Sequence, residues 1–313
     1  MKRKTSKESP VPTPLTIPQL EAELSLEPLQ RISRDLMAAS KIMTIDQTRF
    51  AVDLYYQIQK VRQMSQNQVR SSVIDQDNEP KPKAEIEPSA LLTWTRDSMY
   101  RTEQTIKAAL DKWSDEQPAG AWMKQIVGIG PVIAAGLLAH IDITKAKHAG
   151  ALHRFAGLDP SSKWEKGQKR PWNAKLKTLC WKLGDSFNKF QNHKDDIYGK
   201  ILQSRQTIEQ EHNEQGDYRL QANAGAQRVG KTTEAYKYYN EGKLPPGHLF
   251  ERRKRYAVKI FLSHLFQVMY AMEYGKVPPA PYVIQFCGHS DMIDPPFWAE
   301  IEKKYITERG IKA

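Results

Sequence analysis

The chain has 313 residues, room for one large or two modest domains, and a hydrophobic content of 40%, enough for a real core. Lys and Arg outnumber Asp and Glu by 47 to 36; the charge of +11 and a pI near 9.4 favour an anionic partner such as nucleic acid or an acidic membrane surface. No run approaches the ~18 apolar residues of a membrane span, and no apolar stretch follows the basic start as a secretory signal requires. Two cysteines, Cys180 and Cys287, build no disulfide framework, so the expected setting is a reducing cytoplasm without a membrane.

Residues 1–16, rich in Lys, Ser and Pro, read as a disordered basic tail that includes Lys2-Arg3-Lys4. A short amphipathic helix is expected between Ile17 and about Ser40. A stronger helix follows Asp46, with Phe50, Leu54, Ile58 and Val61 spaced to share one face. Residues 76–88 contain Pro80, Pro82 and Pro88 and read as a linker. The next helix repeats Leu92, Met99, Ile106 and Trp113 at heptad spacing. Its companion positions, Thr95, Thr102 and Ala109, are poor, so a helical hairpin or short coiled coil is expected over 17–115.

The most informative segment follows, Ile126-Val-Gly-Ile-Gly-Pro-Val-Ile-Ala-Ala-Gly-Leu-Leu-Ala-His-Ile141. It predicts a helix end, a tight Gly-Ile-Gly turn and a second apolar helix, which together make a helix-hairpin-helix. Gly128 and Gly130 permit the reversal and a close backbone approach, and Pro131 suits a first helical position. Main-chain amides around Gly128, Ile129, Gly130 and Val132, with the positive end of the second helix, would then form a phosphate site. Contacts of this kind hold a nucleic-acid backbone without reading bases.

A helix is expected around His148–Ala156, stopped by Gly157, then a loop over 158–172 and helices at about 173–190 and 194–214. Residues 215–230 are polar and glycine-containing. A long helix from about His248 to Tyr274 places Val258, Phe261, Leu265, Val268 and Met272 on one face. The Pro-rich tail over 276–297 allows a short strand at Tyr282–Phe286 before a last helix. The expected fold is therefore mostly α: the helical hairpin, a helix-hairpin-helix domain over 116–192, and a C-terminal helical extension over 193–313.

From Lys163 to Lys182 seven Lys or Arg face one acid, Glu165, with Trp164, Trp172 and Trp181 interleaved. Cations neutralise phosphates and release counterions, and aromatic rings stack on unpaired bases. Lys163, Lys166, Lys169, Arg170, Trp172, Lys175 and Lys177 are therefore candidate nucleic-acid contacts that could extend the binding face of the turn. The alternative puts Trp172 and Trp181 in the core with solvated lysines around them. A second patch, Arg252, Arg253, Lys254 and Arg255 with Lys259, opens the long helix, where cations oppose its dipole and so point to a partner.

Two other patterns are weaker. Gly225-Ala-Gln-Arg-Val-Gly230-Lys231-Thr232 matches a phosphate-binding loop, but no hydrophobic strand precedes it; Thr232 or Thr233 as a helix cap is the plainer reading. His248, His264, Cys287 and His289 match no standard zinc spacing, and the carboxylates form no two-metal pattern. No metal or cofactor is expected.

The stretches Val127-Gly-Ile-Gly-Pro-Val-Ile-Ala-Ala-Gly-Leu-Leu-Ala-His-Ile-Asp142 and Ala151-Leu-His-Arg-Phe-Ala-Gly-Leu-Asp-Pro160 resemble the C-terminal transposase domain of the IS-one-ten insertion-sequence family, over about residues 90–190. Members are DNA recombinases guided by a structured RNA, joining an RNase H-like domain with four acidic metal ligands to a coiled coil and this hairpin domain. Two departures stand out. Nothing upstream of residue 90 resembles the RNase H-like part. The family's nucleophilic serine falls at Trp164 or Glu165 here, with Ser161 and Ser162 a few residues earlier as the candidate substitutes.

The resemblance and the charge together imply a stand-alone relative: a DNA-binding protein of a bacterial mobile element, on duplex or branched DNA, without its own strand-transfer chemistry. The alternatives are an active transposase that needs a partner recombinase or nuclease, an RNA-binding component of a nucleoprotein complex, and a scaffold for another protein. The paired helices also allow a homodimer.

Overall fold

The computed structural model describes residues 34–73, 79, 90–280 and 292–308. The fold is mostly α, with no strand among the described residues. The tail over 1–16, most of the helix expected after Ile17, the linker apart from Glu79, the Tyr282–Phe286 strand, Cys287 and His289 lie outside the described residues. Two compact units are present, one built on Asp53–Lys107, the other on Asp35–Val52 together with the chain from Ala108 onward.

After a short α1 (Arg34–Ala39), α2 runs over Ile45–Val73 and α3 over Ala90–Asp115. In the first unit these helices meet through a polar clasp rather than an apolar heptad seam. Buried Glu103 accepts from the Tyr55 hydroxyl at 3.1 Å, the Gln59 amide at 3.0 Å and the Arg62 guanidinium at 2.5 Å. Burial and then the Glu103 charge push the Tyr55 phenol up to about 12. The stripe read from the sequence is corrected here. Phe50 and Val61 are exposed, and Thr48, Val52, Tyr55 and Ser65 are the buried positions of α2.

The second unit explains part of that shift. Helix α4 (Pro118–Lys124) and helix α5 (Pro131–His140) flank a turn, followed by α6 (Ala149–Phe155) and α7 (Ala174–Lys189). The Gly136 side of α5 leaves a slot that Leu179 of α7 and Val52 of α2 fill, so Val52 turns inward. Apolar on nearly every side, α5 is buried on nearly every side.

Beyond lie α8 (Tyr198–Gln215), α9 (Arg219–Ala226), α10 (Glu234–Asn240), α11 (Pro246–Tyr274) and α12 (Trp298–Ile301), which runs on as a π-helix over Glu302–Thr307. The long α11 is the spine, packed against α4, α6, α7 and α8. At its centre Phe261 meets Trp122, Phe187 and Tyr198, with Phe187 stacked on Tyr198 at 4.7 Å. Helix α9 was not expected. It forms because Ala222 buries against Tyr218 and Leu244, while Gly225 lets the Tyr239 ring approach.

One contact sets how α4 crosses the end of α3. A Cβ on Gly120 would stand 1.9 Å from the Ser114 carbonyl oxygen. Gly120→Ala therefore forces two backbones apart, and we expect a loss of about 3 kcal/mol in urea unfolding; a variant as stable as the parent would refute the close crossing.

Candidate nucleic-acid interface

The turn between α4 and α5 is built by local chemistry. Gly128 has φ +94°, a conformation side-chain-bearing residues rarely adopt, and the Ile129 amide closes onto the Ile126 carbonyl at 3.0 Å. Gly130 is the N-cap of α5 and Pro131 enters its first turn. The two glycines differ in role. Gly128 is pinned: its carbonyl accepts from the Ser186 hydroxyl at 2.6 Å, and Phe187 packs close by. Gly130 is exposed, and a Cβ added there would meet nothing within 4 Å. Ile129 and Val132 bury their side chains in the core, so they can offer a ligand only main-chain groups. Among the first-turn amides of α5, those of Val132 and Ile133 have no acceptor inside the helix.

Helix α7 runs antiparallel to α5. Asn173, its N-cap, stands 3.3 Å from His140 at the end of α5, Leu179 faces Gly136, and Ser186 reaches Gly128. The basic loop before α7 and the glycine corner thus belong to opposite ends of α5, about 15 Å apart for ten residues. On the face of α7 that carries Ser186, Lys182 and Lys189 lie one turn to either side. A heptad spacing centred on Ser186 was the available signal for Lys189. Asp185 lies beside them and is claimed by Lys254 at 2.7 Å.

At the other end of α5 the loop closes through the Asn173 amide on the Phe155 carbonyl at 2.9 Å. Lys163, Lys166, Lys169, Arg170, Lys175 and Lys177 are all exposed. Trp164 is exposed, with Arg170 over its ring at 4.9 Å; Trp172 is half-buried beneath Lys177 at 4.3 Å; Trp181 is exposed. Partial burial, then Arg255 and Arg170, hold the Lys177 ammonium below the ordinary lysine range, and burial followed by Arg252 does the same to Arg255. Like charges therefore converge from the loop, α7 and α11. Sequence distance concealed that convergence.

The patch that opens α11 divides into spent and unspent cations. Arg252 donates to buried Glu209 at 2.6 Å, which Arg205 and the Tyr218 hydroxyl also hold. Lys254 is buried between Asp185 and Glu251. Arg255 faces the cluster just described, and Arg253 points elsewhere, toward α8.

Ser161 donates to Asp159 at 2.7 Å, and the Ser162 hydroxyl contacts the same carboxylate at 3.4 Å. These bonds, with Arg154 nearby, hold the Asp159 carboxyl below its usual range. Cys180 is buried, which pushes its thiol up to about 12 and away from nucleophilic use. The Gly225–Thr232 string closes α9 and leads to Thr233, which caps α10 by accepting from the Tyr236 amide; no strand precedes it. Among the described residues no group of His, Cys, Asp or Glu is placed to hold a metal ion, and no helix is long and apolar enough to cross a membrane.

Residues 121–171 match the Transposase IS116/IS110/IS902 family. The match begins within α4 and ends in the basic loop, so it takes in the glycine corner, α5, α6, Ser161 and Ser162. Over this segment, less than half of the chain, the protein is similar to that transposase family. No curated protein and no solved structure matches.

Proposed function

We propose that this protein binds the sugar-phosphate backbone of nucleic acid, DNA first, as a transposase-related component of a bacterial mobile element, and carries no strand-transfer chemistry of its own. The observation that carries the reading is the exposed Gly130 corner. The first turn of α5 begins there, with amides that the helix leaves without an internal acceptor and the positive end of the helix behind them, and Lys182 and Lys189 stand on α7, whose Ser186 bonds Gly128. This is how a helix-hairpin-helix grips a phosphate. The exposed cations of the basic loop, with Arg255, supply a second, cationic surface for phosphates.

Gly130→Glu isolates the corner. The site has room, and a carboxylate at a helix N-terminus does not oppose the dipole, so folding is retained. The same charge repels a phosphate. We expect about tenfold weaker binding of a fluorescent DNA duplex by anisotropy, with Gly130→Ala near the parent; unchanged affinity in Gly130→Glu would remove the corner from the interface. Parallel titrations with duplex RNA and a branched DNA rank the three ligands.

A second reading, strand transfer with a partner catalytic domain, finds its support in Ser161 lying hydrogen-bonded to Asp159 within the transposase-family segment. A serine nucleophile needs a base, and a carboxyl held below its usual range is a weak one. Nicking of supercoiled DNA with magnesium that disappears in Ser161→Ala would favour it.

A further inference from the structure

Arg253 differs from every other cation that opens α11. Arg252 has Glu209, Lys254 has Asp185 and Glu251, and Arg255 looks toward the basic loop. The Arg253 side chain is partly enclosed, and its Nε and Nη1 atoms are fully buried with no hydrogen-bond acceptor. Its guanidinium lies over the Phe250 ring at 4.8 Å, and burial alone, with no carboxylate to offset it, holds it below the ordinary arginine range. A desolvated guanidinium without a counter-charge is costly, and a fold that retains one gains if an anion completes it.

The same side chain lines a cavity of about 430 Å³ between α8 and the first turn of α11. Gln206 and Gln210, one turn apart on α8, bring two side-chain amides. Gly247, the second residue of α11, brings one of the amides that a helix leaves without an internal acceptor, and a Cβ there would meet nothing within 4 Å. The cavity also touches Glu209, but the carboxylate of that residue is already occupied by Arg205, Arg252 and Tyr218. We propose that this cavity is a phosphate-ester site, with Arg253 as its charged anchor and Gly247, Gln206 and Gln210 as its further donors.

The donor arrangement favours phosphate over carboxylate. Arg253 brings its charge to an anion of either kind, while donors arriving from α8 and from the end of α11 suit the additional oxygens of a tetrahedral group. The space exceeds that of an inorganic ion and falls in the range of small-ligand pockets. Its other wall is apolar, with Phe250 and Leu249, so an organic substituent fits beside the phosphate. Either a free nucleotide or the phosphorylated end of a nucleic-acid strand presents that chemistry.

The test is thermal unfolding of the full chain titrated with inorganic phosphate, adenosine monophosphate, and a ten-nucleotide DNA strand with or without a 5′-phosphate. We expect adenosine monophosphate to raise Tm in the parent and in Gly130→Glu. Arg253→Gln removes the rise, and Arg253→Lys shifts the titration midpoint by about tenfold. A rise confined to the 5′-phosphorylated strand assigns the site to strand ends; a rise with inorganic phosphate alone, lost in Arg253→Gln, keeps the anion site and removes the ester. Because Gly130→Glu tests the glycine corner separately, loss of one site leaves the other standing. No rise with any probe, or a rise that persists in Arg253→Gln, overturns the proposal. If Arg253→Gln fails to fold, the parent and Arg253→Lys titrations decide it.

Discussion

Replacing Arg170, Lys177 and Arg255 together by glutamine should lower DNA affinity on the order of a hundredfold at low salt, the largest loss expected from any surface change in this protein. The three side chains come from the loop, α7 and α11, and burial followed by repulsion from Arg255 and Arg170 holds the Lys177 ammonium below its ordinary range. Such mutual repulsion is retained at a cost and is relieved when phosphates arrive. Each cation that meets a phosphate on duplex DNA contributes about 0.9 to the slope of log affinity against log salt, so the triple variant should flatten that slope by roughly 2 to 3. Removing like charges also relieves strain, so the melting temperature should stay level or rise. Anisotropy titrations across a salt series, beside thermal melts, read both quantities. An unchanged slope would mean that this cluster is a solvated surface and the interface lies elsewhere.

Acidification should destabilise the fold steeply between pH 6.5 and about 4. His264 is buried and His153 half-buried, and desolvation pushes both imidazoles down from 6.5 to about 4. Burial holds each neutral, against a carbonyl hydrogen bond that by itself favours the charged ring. His153 Nε2 donates to the Lys259 carbonyl at 3.0 Å; His264 Nε2 donates to the Ile293 carbonyl at 2.8 Å while Nδ1 accepts from the Tyr198 hydroxyl at 2.7 Å. In this window the unfolded chain binds protons that the folded chain refuses, so stability is fully present above pH 6.5 and is lost as pH falls toward 4. The expected loss is on the order of 3 kcal/mol for each histidine. Urea midpoints measured at pH 7 and 4.5 test it, and the double variant His153→Gln, His264→Gln should show a flatter profile. Equal midpoints for the parent at the two pH values would contradict the burial assigned to these rings.

Much of the fold was legible because its signals are local. The helix predicted over 173–190 forms as Ala174–Lys189, and the long one expected from His248 forms as Pro246–Tyr274. Thr233 takes the capping role read for it, since an N-cap needs only an oxygen three residues before an amide. The inward face of α2 was not legible. Phe50 and Val61 satisfy a helical period as well as Thr48, Val52 and Tyr55 do, and period alone fixes a stripe without choosing between stripes. What chose Val52 was the slot beside Gly136. Helix α9 was missed for a related reason, because its polar sequence is held by Tyr218, Leu244 and Tyr239 rather than by its own pattern.

The glycine corner was determined by the sequence alone: Gly128 at positive φ, Gly130 as cap and Pro131 in the first turn follow from backbone sterics within five residues. The basic surplus was equally plain in composition. Only the tertiary structure decided which of those cations remain for a partner. Arg252 is taken by Glu209, 43 residues away, and Lys254 by Asp185, 69 away. The antiparallel packing of α7 on α5 likewise carries the basic loop to the far end from the corner and brings Lys182 and Lys189 to the near one. Turn geometry is a short-range property of the chain, whereas charge pairing depends on which helices pack together, and only the assembled core determines that.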